Sequence, residues 1–227
     1  MKTFNYVSDM PVLEPLVVQE IDNKRFYISP NTGNKLPSVT TILGHFGKEG
    51  IQKWIDRVGV DAATKIKNRA STRGTKFHVM MEKYIGNDKT LFEGVMPDMK
   101  QAFRDAEKTL DKIDNIRYIE AQLWSEKLGT AGRTDVIGDY DGVLSVIDFK
   151  TSLREKKESY IQNYFEQGTA YAEMYEERVG EPIEQIVIII SVDGLDYPQV
   201  FIKNKKDHIE NLMSKISAYK KEFFHVS

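Results

Sequence analysis

The sequence predicts an α/β protein whose mixed central sheet is flanked by helices, with an α-helical elaboration at its N-terminal end. From residue 98 to residue 192 the predicted elements run in the order helix, three strands, helix, strand. The apolar run Ile186 to Ile190, with Val192 just beyond it, is typical of a strand buried on both faces. Because this strand follows a helix, we expect it inside a sheet that helices cover on both sides.

The first part of the chain is predicted to form a small hairpin and then helices. Two short runs, 16–21 and 25–29, flank Asp22-Asn23-Lys24 and indicate the hairpin. Ser38, after Pro37, has the side chain of a helix N-cap. Helical patterns then cover 50–58, 61–85 and 98–112.

The second part is predicted to alternate between strands and helices. Gly180, with Pro182 just after it, marks the end of a long helix. The predicted strands are 117–124, 133–139, 143–150, 183–192 and 199–202, and the predicted helices are 158–178 and 205–224.

Composition limits the classes of function. The 227 residues contain no cysteine, which excludes disulfides, thiolate catalysis and cysteine-ligated metal centres. No apolar run approaches the roughly 20 residues of a membrane-spanning helix. The N-terminus carries acids, is poor in arginine and has no signal-peptide core, so a cytoplasmic protein is expected and a mitochondrial one less so. The net charge of −2 does not by itself indicate nucleic-acid binding.

The most informative segment is a predicted hairpin from Gly132 to Ser152. Asp141-Gly142 between alternating hydrophobic runs is a strong two-residue turn signal. If Tyr140 pairs with Val143, Asp135 falls opposite Asp148, since both pairs sum to 283 (140 + 143 = 135 + 148). Facing carboxylates repel each other unless a cation compensates.

Lys150 shares a strand face with Asp148, so two acids and a lysine are expected to converge. Carboxylate oxygens, with the Phe149 carbonyl beside them, suit Mg2+ and related ions. The alternative is that the acids cap strand ends and the lysine is solvated.

Other candidates lie on predicted helices and on the preceding strand. His78 and Glu82 share one helix face, as do Gln167 and Tyr171. The histidine could complete a metal shell, and the amide and phenol could orient a phosphate; alternatively, these are ordinary helix-face pairs. Glu120 is a further metal-ligand candidate or, equally, an exposed edge residue.

Together these residues resemble the RecB-like branch of the PD-(D/E)XK nuclease superfamily. In that branch a helical histidine, an aspartate, an Asp/Glu-x-Lys pair and a Gln-x-x-x-Tyr helix occur in this order. The separation of 13 residues between the two aspartates (148 − 135 = 13) matches as well. The segments LPSVTTIL, RGTKFH and VIDFKTS, with Trp54, resemble the mitochondrial genome maintenance exonucleases and related phage exonucleases. The similarity covers roughly 25–175.

The resemblance implies a restriction-endonuclease-like core, a divalent metal and a DNA substrate. It implies Lys150, Asp148, Asp135, Gln167 and Tyr171 as catalytic or supporting residues. The implied metal ligands are His78, Asp135, Asp148 and the Phe149 carbonyl, with Glu120 as the further candidate.

The expected protein is a monomeric Mg2+- or Mn2+-dependent exonuclease that acts on single-stranded DNA or free DNA ends. A single domain is expected, with a hairpin and helical arch-like part (1–112), a catalytic core (113–204) and a C-terminal helix (205–227). A phage or bacterial setting, a role in recombination or replication and a single-strand-binding or recombination partner complete the expectation.

Two other functions fit the same motifs. One is a structure-specific endonuclease of this fold, and the other is a non-catalytic DNA-binding scaffold subunit. The scaffold is disfavoured because this chain keeps both acids and the lysine.

Overall fold

A small antiparallel sheet forms the N-terminal part of the molecule. The computed structural model describes residues 1–22 and 24–223, so Asn23 of the predicted first turn and Phe224 of the predicted last helix lie outside the described residues. The strands β1 (Val18–Ile21), β2 (Lys24–Ile28) and β3 (Lys35–Pro37) pair in this order. The predicted hairpin corresponds to β1 and β2. The sequence analysis missed β3, because three residues ending in proline carry no periodic pattern.

Four helices follow the small sheet. They are α1 (Val39–Phe46), α2 (Lys48–Val58), α3 (Val60–Ile85) and α4 (Pro97–Leu110). Ser38 caps α1 as predicted, since its Oγ accepts a hydrogen bond from the Thr41 N–H at 3.0 Å. Residues 48–58 of α2 include no buried side chain, and the first half of α3 buries Ala63 alone. These two segments therefore stand away from the core.

A five-stranded mixed sheet forms the centre of the molecule. Its strands are β4 (Ile113–Ser125), β5 (Thr130–Tyr140), β6 (Val143–Ser152), β7 (Gln185–Val192) and β8 (Gln199–Asn204), in that spatial order. Neighbours are antiparallel except β6 and β7, which are parallel and joined through the helix α5 (Gln162–Val179). The buried β7 lies inside the sheet, as its apolar run predicts. The predicted α/β class with a mixed sheet is confirmed.

Helices cover both faces of this sheet. Apolar side chains of α3 and α4 pack on the face that carries Val136 and Ile147. Side chains of α1, α5 and the last helix α6 (Ile209–Phe223) pack on the face that carries Ile137 and Val146. Among the described residues, no helix is both long enough and apolar enough to cross a membrane.

The β5–β6 turn fixes the register on which the site depends. Asp141 and Gly142 both have positive φ (50° and 79°), the conformation of a type I′ two-residue turn. Tyr140 pairs with Val143, and the pairing continues to Val136 with Ile147. The predicted register is therefore confirmed up to the position just before Asp135 and Asp148.

Candidate metal centre

The candidate metal centre lies where β5 and β6 stop pairing. Beyond the Val136–Ile147 pair, Oδ2 of Asp135 accepts a hydrogen bond from the Phe149 N–H at 2.7 Å. At this point a side-chain oxygen of β5, instead of a backbone carbonyl, accepts the hydrogen bond from β6. This bond fixes the Asp135 carboxylate between the two strands and leaves its Oδ1 facing His78 of α3, at 3.3 Å from Nδ1.

Three side chains from three elements converge here. His78, Glu120 and Asp135 each bring one potential ligand atom to within 4.8 Å of the others. Glu120 lies in β4 between the residues that pair with Val136 and Thr134, which places it opposite Asp135. Its φ of 53° is left-handed, which costs an L residue about 1–2 kcal/mol. Backbone strain of this kind clusters at functional sites.

Asp148 and Lys150 form a buried ion pair beside these three residues. The Asp148 side chain is only 2% exposed, and its Oδ2 contacts the Lys150 ammonium. That ammonium also lies 5.2 Å from the centre of the Tyr164 ring. By strand alternation Asp135, Asp148 and Lys150 share the sheet face of Ile137 and Val146, which pack towards α5.

Burial and charge shift the proton affinities in opposite directions. Burial, opposed in part by Lys150, raises the pKa of Asp148 to about 6. Asp135 is buried too, but its hydrogen bond to His78 and the charges of His78 and Lys150 hold its pKa below the usual range. Burial alone would lower the pKa of His78, yet Asp135 raises it above its usual value. Burial raises the pKa of Glu120.

Gln167 and Tyr171 of α5 form one unit. The Gln167 Nε2 donates to the Tyr171 hydroxyl at 3.1 Å, and Tyr171 is 2% exposed. Burial raises the pKa of the Tyr171 phenol, which therefore keeps its proton. A Cβ on Gly132 of β5 would lie 2.6 Å from Cε1 of Tyr171. A glycine at this position therefore leaves the space that the tyrosine ring occupies.

These residues meet at a cleft of about 490 Å³. His78 and Glu82 of α3, Glu120, Asp135, Gln167 and Tyr171 line it, whereas Asp148 and Lys150 lie outside the lining. Arg25 and Tyr27 from β2 and Ser38 and Thr40 at the start of α1 also line it. The lining thus combines three acids, Glu82, Glu120 and Asp135, with two arginines, Arg25 and Arg133.

The sequence analysis did not single out several residues of this cleft. Arg133 lies two residues before Asp135 on the same strand face, and it forms an ion pair with Glu120, with Nε 2.8 Å from Oε2. Strand alternation could have indicated Arg133. Nothing in the local pattern connects Arg25 or Thr40 with the site, because they reach it only through the tertiary fold.

The structure also defines the surroundings of the Phe149 backbone and of Gly74. The Phe149 N–H bonds Asp135, and because the N–H and C=O of a strand residue point the same way, the carbonyl also faces β5. Gly74 lies in α3 near Thr151. A Cβ there would be 3.7 Å from Thr151 Oγ1, an ordinary contact, so space does not require a glycine.

Comparison with known proteins finds relatives that are named as nucleases. No family model matches the chain. It is 28% identical to the human mitochondrial genome maintenance exonuclease 1 over 146 residues, which is 60% of this chain and 42% of the relative. The mouse protein of the same name is 26% identical over 145 residues, with the same coverage. The chain thus spans about two fifths of the length of these curated relatives.

The fold and the relatives agree on the class of protein. A five-stranded mixed sheet with flanking helices is consistent with a PD-(D/E)XK nuclease core. The suspected resemblance to this nuclease superfamily is confirmed. The chain is similar to the mitochondrial genome maintenance exonucleases of human and mouse.

Proposed function

We propose that this protein is a divalent-metal-dependent deoxyribonuclease, an exonuclease that hydrolyses phosphodiester bonds in single-stranded DNA or at free DNA ends. One observation carries the proposal: His78, Glu120 and Asp135 converge within 4.8 Å next to the Asp148–Lys150 pair. The two relatives are both named as exonucleases, which supports the proposal.

The donor atoms fit a divalent ion. Carboxylate oxygens are hard ligands that Mg2+ and Mn2+ accept, and an imidazole nitrogen adds affinity for Mn2+. His78, Asp135 and Asp148, together with the Phe149 carbonyl and Glu120, are the proposed ligands. When bound, such an ion polarises a phosphoryl oxygen and lowers the pKa of a coordinated water.

The other side chains have roles that follow from their surroundings. Although burial alone would lower the pKa of Lys150, Asp148 and Asp135 raise it above the usual range. The ammonium therefore stays charged and stabilises negative charge that develops on the phosphate. Tyr171, which keeps its proton, donates a hydrogen bond to the substrate, and Gln167 orients its hydroxyl.

The proposal extends to the organisation of the chain. We take 1–227 as one nuclease domain, with 1–112 as a hairpin and helical arch-like part, 113–204 as the catalytic core and 205–227 as a C-terminal helix. The exposed α2 and the exposed first half of α3 support the arch. A monomer that acts in the cytoplasm of a bacterial or phage-infected cell, with a single-strand-binding or recombination protein as partner, completes the proposal.

The test is degradation of labelled oligonucleotides. Linear and circular single strands, 5′- or 3′-labelled where linear, are incubated with Mg2+, Mn2+ or EDTA. We expect metal-dependent loss of the linear strands and intact circles. Because the metal and its ligands contribute several kcal/mol, Asp148→Asn should lower the rate roughly a thousandfold. Equal rates in EDTA, or a fully active Asp148→Asn protein, would contradict the proposal, and cut circles would indicate an endonuclease.

A further inference from the structure

A second groove continues from the cleft past the start of α1. It has a volume of about 530 Å³ and carries four cationic side chains and one acid. We call it the basic groove, defined by Lys24, Arg25, Lys48, Lys67 and Glu20. Lys24 and Arg25 come from β2, Lys48 from the start of α2 and Lys67 from α3, so three separate elements place positive charge on one surface.

The basic groove and the cleft form one continuous depression. Arg25, Ser38 and Thr40 line both of them. A polymer with one phosphate beside His78 and Asp135 would therefore find its neighbouring phosphates directed along this path. The cleft is lined by His78 and three acids, which suit a metal ion, whereas the groove has an excess of cations, which suits phosphates.

The cations of the groove are not neutralised by acids among the described residues, and Lys24 Nζ lies 4.2 Å from the centre of the Phe223 ring. Within residues 1–22 and 24–223, none of Lys24, Arg25, Lys48 and Lys67 forms an ion pair. Some lysines elsewhere, by contrast, are held by acids: Lys205 binds Glu173 and Glu176, and Lys215 binds Glu166. A chain with a net charge of −2 thus collects uncompensated positive charge next to its candidate metal centre.

We propose that the basic groove binds the backbone phosphates of the same DNA strand whose scissile phosphate lies at the metal centre. This inference rests on the proposed function and adds the residues that hold the strand. An acidic protein segment fits less well, because the described residues that line the groove include no aliphatic side chain and protein interfaces depend on buried apolar or aromatic anchors.

The experiment measures strand binding and turnover separately. A double variant, Lys48→Glu with Lys67→Glu, is compared with the control Lys65→Glu with Lys89→Glu. Both control lysines are exposed and lie outside the groove lining. Each double variant replaces two lysines with glutamates, so the two proteins carry the same change of charge. Fluorescence anisotropy of a labelled thymidine oligonucleotide, in EDTA and at low salt, reports binding without any cleavage.

We expect the groove variant to bind the oligonucleotide about tenfold or more weakly than the control. The slope of its log affinity against log salt concentration should be smaller by about 1.4, which is 0.7 for each of two lost phosphate contacts. In Mn2+, its kcat/KM on the oligonucleotide should fall mainly through KM. Turnover of thymidine 5′-(p-nitrophenyl phosphate), which is too short to reach the groove, should match the control.

Equal binding by the two double variants would overturn the inference, whether or not the wild-type protein cleaves DNA. A parallel loss of activity on the short reporter would also overturn it, because the lysines would then act on the metal centre. A wild-type protein that binds through the groove but cleaves neither substrate would contradict the proposed function and leave the groove supported.

Discussion

Asp135 has two tasks, one for each carboxylate oxygen. Its Oδ2 accepts the Phe149 N–H and closes the end of the β5–β6 ladder, while its Oδ1 faces His78. The backbone bond holds the carboxylate in one rotamer, so the oxygen that faces the cleft is positioned before any ion arrives. A ligand positioned in advance loses less conformational entropy on binding.

Asp148 leads to a prediction about pH. Its raised pKa, about 6, means that the metal-free protein holds a proton there below that pH. A divalent ion must displace this proton, and the raised pKa of His78 acts in the same direction. Mn2+ affinity should therefore fall as the pH is lowered, by about tenfold or more per pH unit below about pH 6.

Titration calorimetry with Mn2+ across this pH range measures the dependence. The Asp148→Asn protein should bind Mn2+ more weakly and with a shallower pH dependence, since one of the displaced protons is gone. An affinity that stays constant through pH 6 in the wild-type protein would show that Asp148 does not exchange a proton for the ion.

At the scale of elements, the approach of α5 to the sheet positions Gln167 and Tyr171. Gly168 lies between them on the helix, and a Cβ at this position would overlap Cγ2 of Ile186 on β7. Both partners are in the core, since Ile186 is fully buried and Gly168 belongs to the buried part of α5. The glycine therefore lets the helix approach the sheet closely.

Gly168→Ala should destabilise the fold by about 1–3 kcal/mol, the typical cost of overpacking a core. Urea denaturation measures this as a lower midpoint. The matched control is Gly50→Ala in α2, where an added Cβ meets nothing within 4 Å. There the helix should gain up to about 1 kcal/mol. An equal change in both variants would show that α5 and β7 are not tightly packed.

The sequence predicted an element's register or ends well where turn and capping residues close by in the chain set them. The β5–β6 register follows from Asp141-Gly142, the start of α1 from Ser38, and the end of α5 from Gly180, whose φ is 82°. The strand β3 and the left-handed backbone of Glu120 had no such signal. They depend on neighbouring strands that are distant in sequence, which periodicity cannot report.

At the scale of the whole molecule, the cleft depends on contacts between distant segments. The order of His78, Asp135, Asp148, Lys150, Gln167 and Tyr171 could be matched to a family from sequence. The wall formed by Arg25 and Thr40 could not, because β2 and α1 meet the core only in the folded chain. Lys203, Lys205 and Lys206 are close in sequence and pair with acids from three other places in the chain, Glu158, Glu176 and Glu184.

The central claim is that a divalent ion binds at Asp135, and calorimetric titration of Mn2+ tests it most directly. Asp135→Asn keeps an oxygen that accepts the Phe149 N–H but removes the charge, and the control Asp141→Asn changes an exposed acid of the same hairpin. Asparagine suits the turn conformation of residue 141. We predict one site that Asp135→Asn weakens about tenfold to a hundredfold and Asp141→Asn leaves intact. Equal Mn2+ affinity in all three proteins would contradict the account.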